Sequence, residues 1–291
     1  MLNSEIKKKY KGILFITLAA FCFALMSTLV KCAGELPSVH KSFFRNIVAA
    51  VISFVVLYRE KIPVRPEKGD VPFLVMRSIC GTSGIICNYY AIDHLMVPDA
   101  SMLNKLSPFF VIIFSYLILK EKVKPYQVVC LVIAFIGALF VIKPGVSVIN
   151  RWALVGAFGG LSAGAAYTFV RILGKRKVQG AYIVWFFSTF SSLVAVPFMI
   201  ADPRQIPLRQ LLLLLGAGLA SCGGQFAITA AYSNSPAREI SIFDYSQIIF
   251  ATLFSFFILG EVPDRYSFIG YAIILLASFI MFTINKKNTD N

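Results

Sequence analysis

The amino-acid sequence predicts an all-α integral membrane protein with ten transmembrane helices, arranged as two inverted five-helix repeats. Three observations predict this fold class: the composition, the spacing of the apolar runs and an internal repeat. Of the 291 residues, 58% are hydrophobic and only 14% are charged, and the mean hydropathy is +0.76. Soluble domains carry roughly 25% charged residues. Most of the surface of this chain must therefore face lipid rather than water.

Ten apolar runs lie between breaks that are charged or contain Pro or Gly, and most approach the roughly 20 residues that a spanning helix needs. The second and third runs are the weakest, because Arg45 lies near the start of one and Arg77 lies inside the other. The predicted spans, numbered one to ten in chain order, are 12–33, 41–58, 71–93, 99–119, 125–143, 152–173, 180–200, 208–231, 239–259 and 266–284.

The formal net charge of +14 comes largely from Lys and Arg between the apolar runs. If the N-terminus is cytoplasmic, the cytoplasmic loops hold about twice as many basic residues as the opposite loops, which the positive-inside rule favours. An even number of spans then places both termini in the cytoplasm, and we expect a multi-pass protein of the inner (cytoplasmic) membrane. The basic residues form no groove with interleaved aromatics, so we expect no nucleic-acid partner.

The second half of the chain repeats the first. When residue n is set beside residue n + 140, Lys11 lies on Arg151, and the run 114–121 (FSYLILKE) matches 254–261 (FSFFILGE) at five of eight positions. The predicted repeats are 1–146 and 147–291, with five spans each. Because five is odd, the second copy must enter the membrane in the opposite orientation. Inverted repeats are a recurrent plan of secondary transporters, in which two near-equivalent halves exchange conformations around a central site.

The motifs within these repeats are similar to those of the EamA-type transporters of the drug/metabolite transporter superfamily. One departure is Ile248, where the family commonly has proline. The residues that carry the resemblance are Phe43, Phe44, Arg45, Tyr90, Ala91, Pro108, Leu119, Glu121 and Gly137 in the first half and Ala231, Ser241, Leu259, Glu261 and Gly270 in the second.

The resemblance implies a secondary transporter that works by alternating access on a small polar or amphiphilic metabolite. The residues 43–45, 77–84 and 244–264 resemble members that move S-adenosylmethionine or amino-acid-like compounds. Proteins that share this scaffold carry different substrates, so a multidrug or metabolite exporter of the same fold is the alternative function. The expected partners are a small-molecule substrate and the lipid bilayer, and the chain is expected to be a monomer or a homodimer.

Polar side chains inside the spans are the candidate substrate site, because an ionisable group within a membrane helix costs about 2.5–3.5 kcal/mol and usually faces a cavity or a partner. In one hypothesis Asp244 binds a cationic group of the substrate and Lys105 an anionic group, with hydrogen bonds from neighbouring amides. In the alternatives, Lys105 and Asp244 form an internal ion pair or extend to the lipid head groups. The predicted substrate-binding residues are Tyr89, Asn104, Lys105, Gln225, Asp244 and Gln247.

Lys31 and Arg171 occupy equivalent positions of the two repeats. Because the repeats are inverted, Lys31 is expected near the outer end of span one and Arg171 near the inner end of span six. We predict that each gates one mouth of the pathway, although either side chain can instead extend to the head groups. Glu121 and Glu261 are also repeat mates, and we interpret them as structural hydrogen-bond or ion-pair anchors.

The sequence argues against an enzyme. The only histidines are His40 and His94, and the six cysteines lie in apolar runs without a metal-type CxxC pair. We therefore predict no catalytic residues, no metal site and no cofactor. A channel is also disfavoured, because no segment resembles a selectivity filter.

Overall fold

The computed structural model describes residues 2–63, 66–67, 69–120, 124–142, 151–234 and 243–290, and in these ranges the regular secondary structure is helical. The helices are α1 (Leu2–Cys32), α2 (Ser38–Arg59), α3 (Val71–His94), α4 (Val97–Asn104), α5 (Ser107–Leu119), α6 (Pro125–Ile142), α7 (Arg151–Lys175), α8 (Gly180–Ala201), α9 (Leu208–Asn234), α10 (Ser246–Phe254, continued by a π-helical turn, Ser255–Leu259) and α11 (Arg265–Asp290).

Seven helical stretches in the described part of the chain are long and apolar enough to cross a membrane, and they coincide with spans one to four and six to eight. Three shorter apolar helices, Val128–Gly137, Ser246–Leu259 and Arg265–Ala277, lie where spans five, nine and ten were predicted. Large hydrophobic side chains such as Ile200 and Phe257 are exposed on the helix surfaces, as a lipid-facing exterior requires. The predicted boundary at 146/147 lies outside the described residues.

Span four is interrupted, whereas the sequence predicted one continuous helix. Helix α4 ends at Asn104, and α5 begins at Ser107 after a tight turn in which the Leu106 N–H donates to the Leu103 carbonyl. Proline at position 108 explains the break, because it has no backbone N–H to donate to the carbonyl of residue 104.

The repeat-equivalent place in span nine is interrupted too. Residues 243–244 are helical, residue 245 forms a turn, and α10 begins at Ser246. This break has no proline, since Ile248 occupies the repeat position of Pro108. The Tyr245 hydroxyl donates to the Lys105 carbonyl at 3.0 Å, so the two breaks contact each other through residues that are repeat mates.

The pairs of packed helices follow the repeat: replacing each helix of a pair by its repeat mate gives another packed pair, or the same pair again. The extensive packing of α3 on α7 corresponds to that of α9 on α1, while α2 packs on α8 and α6 on α11, each with its own repeat mate. Glycines permit close approaches: Gly84 lies against the backbone nitrogen of Ala163 on α7, and its repeat mate Gly224 lies against the ring of Phe23 on α1, the repeat mate of Ala163. Equivalent residues thus make equivalent contacts in both halves.

Candidate functional site

A polar cavity lies at the two helix breaks and is lined from both repeats. Its volume is about 70 Å³, smaller than the roughly 300–1,000 Å³ of typical small-molecule sites. The lining residues are Phe23, Met26, Arg45, Arg77, Gly81, Gly84, Ile85, Asn88, Tyr89, Asn104, Lys105, Ala163, Ala166, Tyr167, Phe187, Gln225 and Gln247.

The structure brings five of the six residues predicted to bind substrate to this cavity: Tyr89, Asn104, Lys105, Gln225 and Gln247. They come from α3, from the first helix break, from α9 and from the start of α10. These positions are far apart along the chain, and it is the packing of the two repeats that joins them. Their contact with a substrate stays a prediction.

The sixth residue, Asp244, lies beside the cavity and forms an ion pair with Lys105. Its Oδ2 atom is 2.7 Å from the Lys105 ammonium nitrogen, and the side chains are 1% and 4% exposed, respectively. The ion pair that the sequence left open as an alternative is therefore present. The positive charge of Lys105 at the first break and the negative charge of Asp244 at the second break compensate each other. The second oxygen of Asp244, Oδ1, has no hydrogen-bond partner among the described residues.

Arg45, on α2, is one of two further cations at the cavity, and it is buried. Its Nε donates to the Ser221 hydroxyl of α9 at 2.5 Å, and its Nη1 donates to the Asn46 side-chain oxygen at 3.3 Å. Asn46 in turn donates to the Ser191 hydroxyl of α8 at 2.7 Å. Neutral groups from three helices thus hold the guanidinium at the cavity wall.

Arg77, on α3, is the other cation, and it is also buried. Its Nη2 donates to Gln225 at 3.1 Å, and its guanidinium lies over the Phe187 ring, 3.5 Å from the centroid. A side chain at Gly81, one helical turn later, would overlap both Arg77 and Phe187. The Nε and Nη1 atoms of Arg77 have no hydrogen-bond partner in the described part of the chain.

The predicted site did not include Arg45 and Arg77, although the sequence contained the signal. Both arginines lie inside predicted spans, and the rule that drew attention to Lys105 and Asp244 applies equally to them. They were interpreted instead as family motif residues or as signs of a weak span. The structure shows that they line the same cavity as Lys105.

The two predicted gating residues lie outside this lining. The Lys31 ammonium donates to the carbonyls of Ile92 and Leu95 at 2.7 and 2.9 Å and lies 3.8 Å from Glu261, so it joins the end of α1 to the end of α3. Arg171 is partly buried near the end of α7. Gating by either residue is not tested by these contacts and stays a prediction.

The contacts of Glu261 agree with its interpretation as an anchor. Its Oε2 accepts hydrogen bonds from the Val97 N–H at the start of α4 and from the Ser255 hydroxyl, at 3.2 and 2.7 Å. Its repeat mate at position 121 lies outside the described residues.

Ion pairs hold the two ends of α3, whose middle lines the cavity. Asp70, just before the helix, pairs with Arg176, which follows α7. Asp93, in the last turn, pairs with Lys41 of α2 and accepts a hydrogen bond from Ser38. The Lys41 side chain is fully buried. One end of α3 is thus joined to the second repeat, and the other end to the first.

A largely apolar exterior, two broken helices and a polar cavity between two repeats define a membrane transporter, because irregular backbone at membrane depth occurs where it lines a buried cavity. Comparison with known proteins agrees. The EamA-like transporter family matches the chain twice, at residues 10–143 and 150–283. The chain therefore belongs to the EamA-like transporter family, as the sequence motifs predicted, and is a multi-pass membrane protein with two repeats.

Individual relatives cover almost the whole chain. The pseudopaline exporter CntI of Pseudomonas aeruginosa strain UCBPP-PA14 is 32% identical over 279 residues, which cover 94% of this chain and 97% of the relative. Solute carrier family 35 member G1 of Homo sapiens is 27% identical over 302 residues, covering 97% and 82%. A crystal structure of another protein superposes with a TM-score of 0.71 at 13% identity, covering 96% and 99% of the two chains, and shows the fold alone.

Proposed function

We propose that this protein is a secondary transporter that moves a small polar or amphiphilic metabolite across the cytoplasmic membrane by alternating access. The observation that carries the proposal is the cavity at the two helix breaks, to which both repeats contribute side chains. A site between two near-equivalent halves can open to either side of a membrane when the halves exchange conformations.

The proposed architecture consists of ten spanning helices in two inverted repeats, 1–146 and 147–291, with both termini in the cytoplasm. Two features support the arrangement. The packing of α3 on α7 has its equivalent in α9 on α1, and Lys105 contacts its repeat mate Tyr245 at the centre. An inverted pair of five-helix units explains both features, and it agrees with the asymmetry of basic residues in the loops.

The ion pairs at the ends of α3 suggest how the two sides could open in turn. We propose that opening toward one side separates Asp93 from Lys41, and that opening toward the other separates Asp70 from Arg176. Each state then keeps one of the two pairs, so that a continuous open path is avoided. In this scheme Lys31 and Arg171 act near opposite mouths, as predicted from the sequence.

The cargo is proposed to be an amino-acid-like metabolite that leaves the cell. CntI, the relative described above, is named as an exporter of pseudopaline. The resemblance to transporters of S-adenosylmethionine makes that compound a second candidate, and export of drugs by the same fold is the alternative function. The buried charges at the cavity favour a polar metabolite over an apolar drug, because an apolar ligand would leave those charges without a partner.

Counterflow in proteoliposomes tests this function. Liposomes containing the purified full-length chain are loaded with unlabelled glutamate, pseudopaline, S-adenosylmethionine or ethidium, and entry of the same labelled compound is followed over time. A carrier gives saturable accumulation that passes through a maximum, because it exchanges bound cargo. Liposomes without protein provide the background. Linear flux that does not saturate would identify a channel, and no flux of any compound would contradict the proposal.

A further inference from the structure

We propose that the cavity selects an anionic substrate with two separate oxyanion groups, carboxylate or phosphate, which Arg45 and Arg77 bind. The inference rests on the proposed transport function and narrows it to a class of substrate. It follows from the balance of charge at the cavity, from the unpaired atoms of Arg77 and of neighbouring lining residues, and from the way the protein positions the two arginines.

The described lining of the cavity carries an excess of two positive charges. Arg45, Arg77 and Lys105 are all buried. Asp244 compensates Lys105 through the ion pair described above. Among the described residues, no carboxylate lies within ion-pair distance of Arg45 or Arg77, and both guanidinium groups bond only to neutral side chains.

Removing a guanidinium from water is costly unless charge and hydrogen bonds replace the lost hydration. Arg45 has two neutral acceptors, whereas Arg77 has one acceptor and an aromatic ring. Two of the three guanidinium nitrogens of Arg77 lack an acceptor within the described residues. An oxyanion at this place would supply both the missing acceptor and the missing negative charge, because charge-assisted bonds of arginine to carboxylate or phosphate are among the strongest in proteins.

The guanidinium groups of Arg45 and Arg77 lie near the same aromatic ring. The guanidinium carbons of Arg77 and Arg45 lie 3.5 and 6.0 Å from the centroid of the same ring, that of Phe187. Gln225 holds Arg77, and Ser221 holds Arg45. Ser221 and Gln225 are one turn apart on α9, so a single face of that helix orients both cations.

Other lining groups fit the part of the substrate that joins the two anions. Phe23, Met26 and Ile85 offer apolar contacts. The Tyr89 hydroxyl and the side-chain oxygen of Asn88 are buried without a hydrogen-bond partner in the described structure, and they can bond a hydroxyl or amino group of the substrate. The excess positive charge disfavours a substrate with net positive charge, such as S-adenosylmethionine.

A charge series at constant size tests the inference. Purified full-length protein in detergent is titrated with glutarate, with its monoamide and with its diamide, which carry two, one and no negative charges. Succinate and adipate, each with its amides, vary the spacing of the two groups, and O-phosphoserine tests phosphate beside carboxylate. We expect the melting temperature to rise with at least one dianion, less with the matched monoamide and not with the diamide. Each charge removed should weaken binding by about tenfold or more.

Variants assign the effect to the two arginines. Arg45→Gln and Arg77→Gln should each weaken binding of the dianion by at least about tenfold. Arg204→Gln is the matched control, because Arg204 is more than half exposed and pairs with Asp202, and it should leave binding unchanged. If Arg77→Gln does not fold, Arg77→Lys keeps the charge and provides the comparison.

The inference is wrong if no dianion of the series binds more tightly than its diamide, or if the dianion stabilises Arg45→Gln and Arg77→Gln as much as the wild type. Counterflow separates this failure from failure of the proposed function. Saturable exchange of a neutral or cationic compound would support the proposed transport function and contradict the anionic substrate. Binding of a dianion that depends on the two arginines, without exchange across the membrane, would support the anion site and contradict the proposed transport function.

Discussion

At the scale of single residues, Lys105 and Asp244 stand at the two helix breaks, and each comes from a different repeat. Their ion pair is almost fully buried. The attraction between two such charges must offset the loss of their hydration, so the net stabilisation is small while both partners are present. The loss of one partner, in contrast, destabilises the protein strongly, because it leaves a single buried charge without compensation.

Asp244→Asn should therefore destabilise the protein by roughly 3–5 kcal/mol, since Lys105 would keep its charge without an ionised partner. The double variant Asp244→Asn with Lys105→Met should recover most of this loss. Thermal unfolding of the wild type, both single variants and the double variant, followed by tryptophan fluorescence, measures the coupling.

The same four proteins separate the two interpretations of Asp244. If Asp244→Asn is as stable as the wild type but no longer binds a cationic substrate, Asp244 contacts the substrate directly, and the ion pair is incidental. If stability falls and returns in the double variant, Asp244 acts through Lys105. Glu60→Gln, at an exposed position after α2, is a control for loss of a carboxylate and should change little.

At the scale of helices, the cavity depends on the close approach of α7 to the first helix break. The position that a Cβ at Gly160 would occupy is 2.5 Å from the Leu103 carbonyl oxygen, and at Gly164 it is 2.8 Å from the Ser107 carbonyl oxygen. These neighbours are backbone atoms, which cannot move aside by changing a rotamer. Glycine at these positions lets a continuous helix pack directly on an interrupted one.

Gly160→Ala should accordingly destabilise the protein by about 1–3 kcal/mol, because α7 and α4 must separate to admit the methyl group. Gly216→Ala provides the matched control, since its nearest atom would be the Leu29 side chain at 3.5 Å, an ordinary contact. The better helix propensity of alanine should leave that variant neutral or up to about 1 kcal/mol more stable. Equal melting temperatures for the two variants would contradict the tight contact.

Seven of the ten predicted spans coincide with helices that are long and apolar enough to cross a membrane, but the breaks in spans four and nine were not predicted. An average of hydropathy along the chain locates an apolar segment, but it does not show whether the backbone within that segment is continuous. Pro108 was a usable signal in the first half, because proline interrupts helical hydrogen bonding. Ile248 is no such signal in the second half, where the break is seen in the structure at residue 245.

At the scale of the full chain, the five spans of the first repeat place residue 150 outside the cell when the N-terminus is cytoplasmic, and span six returns the chain to the cytoplasm at residue 177. A single cysteine at Asn150, which lies outside the described residues, should react with an impermeant maleimide added to intact cells. A cysteine at Lys177, in the turn after α7, should react only after the cells are opened. Both variants are made with the six native cysteines replaced by serine, and tags on both termini should be cytoplasmic.

A protected cysteine at position 150 together with an externally labelled one at position 177 would overturn the orientation. Reaction of both from the same side would instead show that α7, which lies between the two positions, does not cross the membrane. Replacement of the native cysteines is checked first by melting temperature, because Cys130 and Cys222 are buried and their loss can lower stability.

The class of fold, the family and the repeat were predictable from the sequence, because these depend on composition, on the length of apolar runs and on equivalence along the chain. The sequence also identified five of the 17 residues that line the cavity, since polar groups inside spans are few and costly. Which charges compensate one another became evident from the packing of the helices. Lys105 pairs with Asp244 from the other repeat, while among the described residues Arg45 and Arg77 bond to neutral groups, including Ser221 and Gln225 of α9. An ion pair depends on the rotation and approach of packed helices, and the order of residues along each helix does not specify either.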